Sequence, residues 1–125
     1  MPVVEMQPTE TLLPPSRFYF WRGASGQSYV HTIHSLIDCP AITQACYVLV
    51  RRLGDGSMSV RAVGRTTGQS ETLNLAHIRH LAASLGANEV HLHLMADGES
   101  RRARVEFDLR ASLFAMLGDA AVARH

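Results

Sequence analysis

The chain predicts an α+β fold, a compact antiparallel sheet carrying an added N-terminal β-hairpin and flanking helices. Three observations predict it. Two pairs of alternating segments, RFYFWR with QSYVHTIHSLI and ACYVLVRRL with SMSVRAVGRT, are each joined by a glycine-bearing turn, as hairpins require. Between the second pair and a further alternating segment lies a row of apolar residues at helical spacing. Finally, 125 residues with 46% hydrophobic side chains suffice for a single core.

Taken in order, residues 1–16, MPVVEMQPTETLLPPS, hold four prolines and no sustained period, so a mobile tail is expected there. The single domain is expected to span 17–118, with 119–125 fraying. In RFYFWR, Phe18 and Phe20 point one way and Arg17, Tyr19 and Trp21 the other. Gly23 to Gly26 make the turn, and Cys39-Pro40 later interrupts regular structure. The central hairpin then places Tyr47 deep in its first strand and leaves its second through Val63-Gly64-Arg65-Thr66. The spacing of Leu75, Ile78, Leu81, Ala82 and Leu85 predicts a helix over 72–85, capped by Thr72 or Ser70 and stopped by Gly86. Residues 88–95 alternate as a half-buried strand, with Val90, Leu92 and Leu94 inward and Glu89, His91 and His93 outward.

RARVEFDLR reads in two ways. It alternates, so after Asp97-Gly98 it can return as a strand. It also supports a helix capped by Asp97, with Val105, Leu109, Leu113 and Leu117 as an i, i+4 row ending at Gly118. Periodicity does not separate the two.

Composition excludes several classes. A net charge of +1 gives no broad field to attract nucleic acid. All basic side chains are arginine, which suits bidentate contacts to phosphate, although codon usage accounts for a missing lysine equally well. No apolar run approaches membrane-spanning length and no secretory leader precedes the domain, so a cytoplasmic protein with no membrane partner is expected. Cys39 and Cys46 are too few for a disulfide framework and lack metal-ligand spacing.

From Tyr47 onward the element order is strand, strand, helix, strand and, on the second reading, helix. With RGASGQSYVHTIHSL, YVLVRR, VGRT, LGANEVHLHLM and RRARVEFDL in that order, residues 17 to 110 resemble small bacterial GIY-YIG-like proteins that carry an extra N-terminal hairpin. The resemblance implies a metal-assisted phosphodiesterase site, in which a tyrosine helps deprotonate water, an arginine holds the phosphate and a helical glutamate binds Mg²⁺. Carried across, Tyr47 fits the first tyrosine, Gly64 the glycine of the second motif, and Glu106 the metal ligand if its segment is helical. The second tyrosine position holds Ala62. The loop TGQSETLN lacks the expected arginine, leaving Arg65 and Arg79 on either side of the gap as substitutes. The late asparagine of the family has no counterpart. A domain that is catalytically impaired and acts by binding, with nucleic acid as first partner, is therefore expected. The alternative is an active Mg²⁺-dependent endonuclease using Tyr47 and Glu106 with Arg65 or Arg79.

Other residues suggest other chemistry. His77 and His80 share the polar side of the helix, and Glu89, His91 and His93 share one strand face. Together they are the only arrangement that suggests zinc, although H-x-H on an exposed strand is common and reads first as surface. His31 and His34 fall on opposite strand faces. The row Arg17, Tyr19, Trp21, with Arg22 beside it, is the surface patch best suited to stack bases and hold phosphates. The same aromatic hairpin also suits a homodimer interface. RRAR at 101–104 reads as a solvated helix start or strand edge, with phosphate contact as its functional alternative.

Overall fold

The computed structural model describes residues 17–68 and 70–124, with side chains through residue 113. The expected tail 1–16 lies outside the described residues. The elements run β1 (Phe18–Arg22), β2 (Ser28–Ser35), β3 (Cys46–Arg52), β4 (Met58–Arg65), α1 (Glu71–Leu85), β5 (Glu89–His93) and α2 (Glu99–Arg124). The five strands form one sheet in the order β1-β2-β5-β3-β4, with every neighbouring pair antiparallel. The fold is α+β, and β5 inserts between the two hairpins and joins them into one surface.

Each face of this sheet carries its own helix. Alternation along β3 sends Cys46, Val48 and Val50 to a core shared with Val105, Leu109 and Leu113 of α2. The intervening Tyr47 and Leu49 join Ile78 and Ala82 of α1 in a second core on the opposite face. Full burial of each such aliphatic contributes about 1.5–3 kcal/mol, and a two-faced strand gains it at every position.

The C-terminal ambiguity resolves as helix. Val105, Leu109 and Leu113 are buried while Phe107 is 74% exposed, a pattern that a strand pairing Val105, Phe107 and Leu109 on one face would not produce. Gly98, rather than Asp97, directly precedes α2, and its carbonyl accepts the Arg102 N–H. Helix continues through Gly118 to Arg124, beyond the stop that glycine suggests. A glycine within a helix costs only about 1 kcal/mol relative to alanine, so it does not by itself end one.

α1 forms as its spacing requires. Ser70 is the N-cap, its hydroxyl accepting the Leu73 N–H, and Gly86 closes the C-terminus in the left-handed region at φ 78°. Its second anchor is Asn74, a buried amide donating to the carbonyls of Ile42, Thr43 and Gly68. That side chain ties the loops on either side of the β3–β4 hairpin to the helix.

β5 departs from the half-buried reading. Glu89, His91 and His93 do not face solvent, and all five residues of the strand are buried. Because β5 is the central strand, with β2 and β3 on its two sides, its polar face lies under the aromatic residues of β1 and β2. Leu94, expected inside, follows the strand and is 55% exposed.

Candidate functional site

Tyr47, Gly64, Arg65 and Glu106 converge at the β4 edge of the sheet. Antiparallel register pairs Tyr47 with Gly64 and Cys46 with Arg65. The phenol lies across Gly64 so closely that a Cβ there would sit 2.6 Å from the Tyr47 hydroxyl oxygen, which requires glycine on grounds of space. Arg65 reaches the opposite helix, donating to Glu99 at 2.8 Å and pairing with Glu106. Arg110 donates to the other Glu106 oxygen at 2.8 Å and to the Val63 carbonyl. Glu106 therefore faces this edge.

The state of these groups does not suit hydrolysis. Burial pushes the Tyr47 phenol up, and the nearby Glu106 charge pushes it further, against a smaller opposite effect from Arg110. A tyrosine so disposed is a poor base near neutral pH. Both Glu106 oxygens are taken by guanidinium groups. Among the described residues no three His, Cys, Asp or Glu side chains are placed to hold a metal ion. With its single carboxylate held by Arg65 and Arg110, the donor set does not fit Mg²⁺. Arg79 stays away from this edge, on α1, where it donates to the carbonyls of Leu36 and Ile37.

The aromatic hairpin inverts the expected patch. Trp21 is only 6% exposed. Its indole N–H donates to His91 Nδ1 at 2.9 Å, and the other His91 nitrogen lies 3.0 Å from Glu89 Oε1. Glu89 accepts two bonds from Arg52 and one from Arg17. Tyr19 leans on the Trp21 ring, with centroids 4.6 Å apart. Thus Trp21 covers the sheet and, with Arg17, satisfies a buried Glu-His pair, while Arg17 and Tyr19 remain exposed beside it. Burial pushes His91 down, more strongly than Glu89 pulls it up. Glu89 is pushed up by burial but held low on balance by the bonds from Arg52 and His91.

His31 lies in the same layer. Its Nδ1 bonds the Tyr29 carbonyl, its Nε2 is buried without a partner among the described residues, and burial brings its pKa to about 3. The zinc arrangement does not form. His77 and His80 are exposed on α1, whereas Glu89, His91 and His93 are buried on the sheet face opposite that helix.

On the other side of β1, Phe18 and Phe20 are 54% and 63% exposed, and Arg22 follows them on the same face. Alternation displayed both rows in the sequence, but which row lies inside depends on where α2 packs. Beside Phe20 opens a pocket of about 430 Å³, walled by Tyr29, His93, Arg101 and Arg104. Comparison of the chain with protein-family models, characterised proteins and solved structures finds no match. Among the described residues no helix is long and apolar enough to cross a membrane.

Proposed function

We propose that this chain is a GIY-YIG-like domain whose catalytic set has degenerated and which acts by binding single-stranded nucleic acid. The observation that carries the reading is the Phe18–Phe20 pair. Two phenyl rings stand on one face of a strand, more than half exposed, while the tryptophan between them and the turn is buried. Alternate residues of a strand lie about 7 Å apart, which leaves room for one base on each ring. Arg22 supplies a cation at the end of this row.

Support for ancestry is the element order from β3 to α2, the Tyr47–Gly64 pairing and a helical Glu106 directed at the same edge. Against turnover stand Ala62 in place of a tyrosine, the Glu106 carboxylate held by two arginines, and the raised Tyr47 phenol. Fold and reaction separate readily, and an edge closed by its own ion pairs retains the first without the second. A cytoplasmic location accords with this reading and with the free thiols of Cys39 and Cys46.

The test is a retention assay with labelled single-stranded and duplex oligonucleotides at low salt, together with prolonged incubation in Mg²⁺. The reading expects single-strand binding that weakens steeply as salt rises, with the strands left intact. Cleavage abolished by Glu106→Ala would establish the endonuclease instead, and failure to bind at low salt would remove the nucleic-acid partner.

A further inference from the structure

Beyond the open phenyl face, the pocket beside Phe20 has the makings of a specific site. It is lined by residues from four elements, namely Phe20 of β1, Ser28 and Tyr29 of β2, His93 of β5, and Arg101 and Arg104 of α2. The chemistry of these walls is divided. Phe20 offers an exposed ring, and the two arginines, one helical turn apart, offer two guanidinium groups on one side.

Neither Arg101 nor Arg104 forms an ion pair among the described residues, although α2 is otherwise rich in such pairs. Asp108, one turn beyond Arg104, is held elsewhere by Ser25 and the Tyr29 hydroxyl. His93 is the second and independent observation. It is 95% buried by its 5% residual exposure, its Nδ1 lies 2.8 Å from the Val30 carbonyl, and its Nε2 has no partner among the described residues. A carbonyl only accepts, so Nδ1 carries the proton and in the neutral ring Nε2 presents a lone pair. An unbonded lone pair on a pocket wall is open to a donor from whatever enters.

We infer that this pocket binds a nucleoside monophosphate unit. The phosphate sits on Arg101 and Arg104, whose forked donors match its oxygens. The base lies against Phe20. A hydroxyl or amino group of the nucleoside donates to His93 Nε2. A volume of about 430 Å³ holds one such unit with some water and does not hold a folded strand. The unit is either a free mononucleotide or the phosphorylated terminal nucleotide of a strand. In the second case the site rests on the proposed strand-binding reading and gives it an end preference.

The experiment uses the full chain and titrates it, by NMR or calorimetry, with each ribonucleoside 5′-monophosphate, with the matching nucleosides and with inorganic phosphate. A parallel series uses a short oligothymidylate with and without a 5′-phosphate. The expected result is binding of a monophosphate, weaker binding of its nucleoside and of phosphate alone, and a loss on the order of tenfold per arginine in Arg101→Glu and Arg104→Glu. Both positions are exposed, so these variants keep the fold, which circular dichroism and the melting temperature verify. Competition by the phosphorylated strand alone assigns the site to a strand end; if the strand does not compete, the ligand is the free nucleotide. Absence of monophosphate binding, or binding that both arginine variants leave unchanged, overturns the inference. Strand binding that is indifferent to the 5′-phosphate and to these arginines, with no monophosphate bound, removes the pocket while sparing the phenyl face. Monophosphate binding without any strand binding does the reverse.

Discussion

One helix serves two regions that differ in how their charges are used. Toward β4, α2 presents Glu99, Glu106 and Arg110, and these pair with Arg65 and with one another. Toward the β1–β2 hairpin it presents Arg101 and Arg104, which have no carboxylate partner among the described residues and border an open pocket. The first region contains the residues that resemble a reaction centre, yet its functional groups satisfy each other. In the second, an imidazole nitrogen, two arginines and two exposed phenyl rings lack partners among the described residues. Groups that a fold has already satisfied contribute to stability, and groups it leaves unsatisfied are available to a ligand. The contrast favours binding at the hairpin over catalysis at the β4 edge.

The largest effect expected separates neighbours in β1. Trp21→Ala should cost about 3–5 kcal/mol in chemical denaturation, through the cavity and the lost bond to His91. Phe20→Ala, one residue earlier, should fall within about 0.5 kcal/mol of the parent. Equal costs for the two would mean that the sheet faces are assigned the wrong way round.

Acid should then destabilise the layer beneath the hairpin. His31 is held to about 3 in the folded state against an ordinary value near 6.5, so below about pH 6.5 the unfolded chain takes a proton that the folded chain refuses. Stability is complete above that pH and declines as pH falls toward 3, by an amount on the order of a few kcal/mol. His91, also pushed down, adds to the same trend. Urea midpoints measured across this range in His31→Gln should show a visibly flatter decline, and an unchanged profile would place the acid sensitivity elsewhere.

At the β4 edge, Glu106→Ala should cost about 1–3 kcal/mol, because Arg65 and Arg110 lose the carboxylate they share. It should leave oligonucleotide binding as it was. A gain in stability would show that the three charges repel on balance. Smallest of all, Arg101→Glu with Arg104→Glu should shift stability by no more than about 0.5 kcal/mol, as exposed and unpaired groups do. A larger loss would mean that these arginines belong to the fold.

These differences also explain what could be read from the chain. α1 was legible because Leu75, Ile78 and Ala82 share a face between Ser70 and Gly86, and local spacing suffices for such a helix. β5 misleads because alternation of polar and apolar residues marks a half-exposed strand only when the polar row meets water. Here Trp21, Arg17 and Arg52 satisfy Glu89 and His91 across more than thirty residues of separation, which no local pattern records. The inversion of the aromatic hairpin has the same origin, since α2, whose conformation periodicity leaves open, decides which row is covered. Tyr47, Gly64 and Glu106 were singled out by the order of short motifs. Their mutual neutralisation was not legible, because it depends on where Arg65 and Arg110 turn.

The central claim is that the exposed phenyl face binds single-stranded nucleic acid. Fluorescence anisotropy of a labelled single-stranded oligonucleotide, comparing the parent with Phe18→Ala/Phe20→Ala at low salt, tests it most directly. Stacking is worth about 1–3 kcal/mol per base, so the double variant should bind at least tenfold more weakly while its melting temperature stays the same. Equal affinity for the two proteins, or no binding by the parent, would contradict the account.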